Sequence, residues 1–115
     1  MMRNSTPILT VPVLSTGTIT ANRFVSTALA VVASAGVNTY GVAQMNGVSG
    51  DVVPVTVLGT EIVEAGAAIA AGAAVQTDAS GRAITLAAGV NTGRLAPGES
   101  ASAAGQLVEV ILNTN

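Results

Sequence analysis

The sequence predicts an all-β fold, a small barrel- or sandwich-like domain built from short strands, and three observations carry that reading. From Gly17 onward, short segments rich in Val, Ile and Thr are separated by Gly, Asn, Asp and Ser, the residues of tight turns. Two segments, 51–58 and 106–112, show the period-two alternation of a strand. The one stretch of helix-forming composition, the Ala-rich run from Glu64 to Thr77, is interrupted by Gly66 and Gly72. Each costs about 1 kcal/mol relative to Ala inside a helix.

Taken in chain order, residues 1–16 read as an extended N-terminal arm. Pro7 and Pro12 fix their own φ and push Thr6 and Val11 towards extended geometry, and no helical apolar period is present. The arm carries Ile8, Leu9, Val11, Pro12, Val13 and Leu14, an apolar set poorly suited to water and well suited to docking on a neighbouring subunit. These six are the candidate contact residues. Arg3 ahead of Ile8–Leu14 superficially suggests a secretory leader, but Pro12 interrupts the run and no small-residue cleavage site follows cleanly.

Residues 17–115 read as a single β-rich domain. In Asp51–Leu58, Val53, Val55 and Val57 alternate with Val52, Pro54, Thr56 and Leu58, and Pro54, lacking an N–H, favours an edge or a bulge. The Ala-rich run reads as a loop entering a strand, followed by a hairpin turning at Asp78-Ala-Ser-Gly81, where Asp and Gly are the residues a tight turn needs. In Gln106–Leu112, placing Glu109 outward carries Leu107 and Ile111 outward with it. That outer face would then call for cover from another subunit.

The chain also resembles itself. Ile19-x-Ala21-x-x-x-Val25 recurs as Ile69-x-Ala71-x-x-x-Val75. Gly41-Val-Ala43 and Gly50-Asp-Val-Val-Pro-Val-Thr-Val-Leu58 are echoed by Gly93-Arg-Leu-Ala96 and Gly105-Gln-Leu-Val-Glu-Val-Ile-Leu112. The natural consequence is two pseudo-repeated halves, 17–60 and 67–113.

Composition excludes much. With no His, Cys or Lys, the chain has no imidazole base or ligand, no thiolate, and no amine for a Schiff base. The expectation is a non-enzymatic protein with no cofactor and no metal. Glu61 and Glu64, with Asp51 near in sequence, form the only acidic cluster, better read as solvated strand-end charges than as a hydrolytic pair. Arg3, Arg23, Arg82 and Arg94 are too few and too scattered for a phosphate-binding patch, so direct nucleic-acid binding is not expected. The longest apolar stretches fall well short of the ~20 residues of a membrane span. Phe24 and Tyr40 are the only aromatics, so the core is made of small pieces, and an Ala/Val core gains less per ordered residue than one of Leu and Phe. Such a chain gains stability from neighbours.

The order and spacing of Ile19-Thr-Ala-Asn-Arg-Phe-Val25, Tyr40-Gly-Val-Ala43, Gly50 to Gly59, Glu64 to Val75, Asp78-Ala-Ser-Gly-Arg-Ala83 and Ala104 to Leu112 resemble the capsid cement, or head decoration, proteins of tailed phages. The resemblance implies a structural protein, made in the host cytoplasm, that sits on the outer capsid surface of the virion. There it would bind the major capsid protein and stabilise the shell, as a homotrimer or, alternatively, a dimer. From the residues alone, a non-catalytic β-barrel module for carbohydrate or ice is the alternative. It lacks the aromatic platforms of the first and the regular Thr array of the second.

Overall fold

A computed structural model of the chain describes residues 5–113, and every regular element among them is a strand. They are β1 (Thr6–Leu14), β2 (Phe24–Ser26), β3 (Thr39–Ala43), β4 (Val52–Glu64), β5 (Ala74–Thr77), β6 (Ala83–Thr85), β7 (Gly93–Leu95) and β8 (Leu107–Leu112). One antiparallel sheet runs β2-β3-β4-β8-β7-β5-β6, with β1 added on β4. It curls into a nearly closed barrel. Its ends meet where the Phe24 N–H donates to Gly81 O (2.7 Å) and the Gly36 N–H to Thr77 O (2.9 Å). The all-β expectation holds.

The sheet turns on β4. Its first half, 52–58, lies between β1 and β3, and its second half, 60–64, pairs with β8. The two halves meet at Gly59 (φ +103°), where a Cβ would strike the Thr6 carbonyl and the Ile8 N–H. The register slips here too: Pro7 faces Gly59 and Leu9 faces Leu58, leaving Ile8 as the extra residue of a bulge. The bend brings Thr56 and Glu61 of one strand into contact. The Glu61 Oε2 accepts from Thr56 Oγ1 and Ser5 Oγ, both at 2.8 Å, while Gln44 Nε2 donates to Thr56 Oγ1 at 2.7 Å. Pro54 stands opposite Pro12 in the β1–β4 ladder. Its carbonyl accepts from the Gln44 N–H on the other side, so the two prolines meet where neither owes the ladder an N–H.

Hydrogen bonds of the first part recur in the second. Ile19 and Gly47 exchange two backbone bonds, as do Ile69 and Ala101. The Ala43 N–H donates to Arg23 O and the Leu95 N–H to Ala73 O, while Gln44 N–H to Pro54 O matches Ala96 N–H to Glu109 O. Asn22 (φ +62°) and Gly72 (φ +70°) hold the same left-handed turn, and Leu29 (φ +68°) and Gly81 (φ +81°) hold another. A Cβ on Gly41 would collide with Thr56 O and the Val55 side chain; one on Gly93 would collide with Ile111 O and the Val110 side chain.

The correspondence reaches further back than position 17. Ser15 N–H to Asp51 O and Gly50 N–H to Ser15 O are matched by Ala65 N–H to Gln106 O and Gly105 N–H to Ala65 O. Leu14 faces Val52 as Glu64 faces Leu107, and Val13 faces Val53 as Val63 faces Val108. Thus β1 stands to the first half of β4 as the second half of β4 stands to β8. An arm separate from a domain beginning at 17 is not how the backbone is bonded: residues 6–14 are a strand of the sheet, and β4 serves both halves. Positions 1–4 and 114–115 of the expected arm and domain lie outside the described residues.

Two buried clusters form the interior. The larger joins Phe24, Val63, Ile69, Leu95, Val108 and Val110 with their neighbours, and the smaller joins Val13, Ile19, Val25, Ala43, Val53 and Val55. Glu109 is buried rather than outward; its N–H donates to Glu99 Oε1 at 2.8 Å, and Glu99 is buried with it. Leu107 is exposed as expected, whereas Ile111 is half-buried.

Candidate docking surface

The six sequence candidates lie on β1, and the strand's pleat and bulge sort them. Val13 is 4% exposed and belongs to the smaller core cluster, and Val11 is half-buried. Ile8 (73% exposed), Leu9 (49%) and Leu14 (61%) face solvent, as does Pro12. Ile8 projects because it is the unpaired residue of the bulge. Leu14 is joined across the ladder by Val52, 64% exposed, so two large apolar side chains sit side by side in water at that end. Sequence reasoning missed Val52, although it is the only Val in its alternating segment directly following an acidic turn residue.

Near Leu9 the surface dips into an open depression of about 280 Å³ lined by Leu9, Thr39, Tyr40, Val57 and Leu58 among others. Beyond β1, Val48 and Met45 are exposed on the turn after β3. The turn is held by Asp51, whose Oδ2 accepts from the Val48 N–H at 2.9 Å, and by the Ser15 hydroxyl, which donates to the Val48 carbonyl.

The acidic residues part company. Glu61 is 5% exposed and bonded to Ser5, Thr56 and the Ile62 N–H, so it is not a solvated strand-end charge. Glu64 instead lies between two guanidinium groups, Arg23 at 3.4 Å and Arg82 at 3.5 Å, and Arg82 also reaches Asp78 at 3.3 Å. Asp78 Oδ1 accepts from the Ser80 and Arg82 N–H groups and closes the β5–β6 turn foreseen at 78–81. Each carboxylate near Glu61 and Glu64 therefore has a local structural task. The cluster ties the Arg23 turn of the first half to the β5–β6 turn of the second.

An antiparallel barrel that presents apolar side chains along an edge strand has the makings of a protein that works by attachment. Comparison with known proteins gives that class a family. The family model for phage cement protein matches residues 2–112, and the chain belongs to that family, as a structural protein of the phage head. The crystal structure of the head fibre gp8.5 N base in bacteriophage phi29 shares the fold: TM-score 0.71 at 21% identity, covering 91% of this chain and 93% of that one. No curated protein sequence matches.

Proposed function

We propose that the protein is a capsid cement protein that binds the outer surface of the major capsid protein and holds the shell together, acting without catalysis. The observation that carries this reading is the display of Ile8 and Leu9 on a strand anchored to the barrel. A bulge pushes Ile8 out to 73% exposure, an arrangement that costs apolar hydration unless a partner covers it. The family match over residues 2–112 supports a partner on the phage head, and the major capsid protein is the partner we propose. Few charges and little else exposed in aromatic form favour a protein surface over nucleic acid or glycan.

Attachment of this kind works by addition of interface. A standard protein contact buries about 1,200–2,000 Å², and repetition across a lattice makes even modest contacts strong in total. Copies of the chain associate with each other on the shell, as a trimer around local three-fold positions. Synthesis in the host cytoplasm is compatible with a chain that has no cysteine to oxidise.

Co-sedimentation of the purified protein with expanded, empty shells of the phage that encodes it tests the reading. Saturable binding is expected, lost at least ten-fold in the Ile8→Asp/Leu9→Asp variant; protein that stays wholly in the supernatant would refute it. Removing residues 1–14 outright is the wrong test. It would take β1 from β4 and expose Val53 and Val55, confounding binding with folding.

A further inference from the structure

We propose that copies of this chain bind one another head to tail, repeating between molecules the contact that already joins the two halves inside one molecule. The inference gives the self-association put forward above a specific surface, and rests on that self-association. It does not depend on shell binding.

The internal contact has two sides. One is the outward edge of the second half of β4, where the Glu64 N–H donates to Asn22 O at 2.9 Å. The other is the turn before β2, from Thr20 to Arg23, which supplies that carbonyl and the Arg23 guanidinium that meets Glu64. Each side has a counterpart elsewhere in the fold by the hydrogen-bond matches described above. The counterpart of the β4 edge is β1 with Leu14, and that of the Thr20–Arg23 turn is 70–73, with Gly72 in place of Asn22.

Both counterparts are left open. Thr60, Ile62 and Glu64 are half-buried, whereas Thr10, Pro12 and Leu14 are exposed. Thr20, Ala21 and Asn22 are half-buried, whereas Ala70, Ala71 and Gly72 are exposed. Had the halves been related by a two-fold axis, the second contact would have closed within the chain. It does not close, so the molecule ends in one free surface of each kind. Two such surfaces complement each other only between different copies, and a heterologous contact of this sort builds rings when its rotation closes.

The chemistry of the open surfaces fits one another. Inside the molecule the contact is held by charge, Arg23 on Glu64. At the matching outer positions the pair is Ala73 and Leu14, and Ala73 is half-buried against the larger core cluster, so the contact between copies is apolar: a leucine 61% exposed on its own strand set against the exposed turn Ala70-Ala71-Gly72. Pro12, on the outward side of β1 and without an N–H, keeps that edge from simple strand addition. This points to side-chain docking at Leu14 rather than an extended new ladder.

The chain has no cysteine, so cross-linking is clean. Leu14→Cys and Ala71→Cys variants of the full chain, both at exposed positions, are mixed and treated with a short bis-maleimide, in solution and on shells, and read on denaturing gels and by mass spectrometry. The expected product is a pair containing one chain of each variant, with little product from either variant alone and a series of larger covalent multimers from the double variant. Leu14→Glu, on an exposed site, should weaken self-association at least ten-fold by light scattering while leaving the far-ultraviolet spectrum unchanged. Leu14→Cys joined mainly to itself would signify a two-fold contact and overturn the proposal. Failure of the mixed pair to form both in solution and on shells would overturn it as well. Loss of shell binding with the mixed pair intact would overturn the cement reading and leave this one standing.

Discussion

β1 and the second half of β4 hold matching places in the hydrogen-bond network and live in different surroundings. Val13 and Val63 are both buried, Leu14 and Glu64 both point outward, and each strand leads through the same turn into an isoleucine bridge. Yet Glu64 is covered by Arg23 and Arg82 from two other parts of the fold, whereas Leu14 meets water. The difference teaches where the fold stops. The inner strand is finished by its own chain with charged groups, and the outer strand is left apolar and exposed, which is the basis of the proposed contact between copies.

The comparison breaks most severely at the glycines where strands nearly touch. Gly41→Ala and Gly93→Ala each place a Cβ against a neighbouring carbonyl and a core valine, and each should destabilise by about 3 kcal/mol, at the upper end of overpacking costs. Similar losses in chemical denaturation are expected at the two positions; a tolerant Gly93 beside an intolerant Gly41 would show that the matching is only formal. Truncating the paired valines comes next. Val63→Ala, in the central strand, should cost about 2–3 kcal/mol, and Val13→Ala, at the edge and slightly exposed, somewhat less, both read from denaturant midpoints.

The smallest effects sharpen the contrast at the outward pair. Glu64→Ala removes two ion pairs that are each about a quarter exposed, so about 1 kcal/mol is expected, shrinking as salt is raised. Leu14→Ala should change the stability of the isolated chain by no more than about 0.5 kcal/mol. A larger loss at Leu14, measured at concentrations where the chain is monomeric, would mean that the strand is already covered from within.

Much of this was legible in the sequence because turn chemistry is local. The Asp78–Gly81 turn and the glycines ahead of β4 and β8 depend on residues that adopt left-handed backbone, and these stand out in a string of letters, as does the repeated apolar spacing that matches Ile19 with Ile69. The strand role of residues 6–14 did not. Thr10-x-x-Val13 and Thr60-x-x-Val63 lie nine and six residues before Ile19 and Ile69 at the same offset of 50, but the intervening residues differ, and two prolines make the segment look like a loose arm. What anchors it is β4, far along the chain, from Leu14 paired with Val52 to Thr6 paired with Thr60. Glu61 and Glu109 were misread for a related reason. The Glu61 carboxylate looks solvated until Ser5 and Thr56 are brought to it by the bend at Gly59, and Glu109 looks outward until the 96–101 loop carries Glu99 to its backbone N–H.

The central claim is that this protein reinforces a shell, and the most direct measurement is the temperature at which empty expanded shells come apart, with and without saturating protein. The account predicts a rise of several degrees with the native chain and none with the Ile8→Asp/Leu9→Asp variant. Shells fully occupied by native protein that disassemble at an unchanged temperature would contradict it.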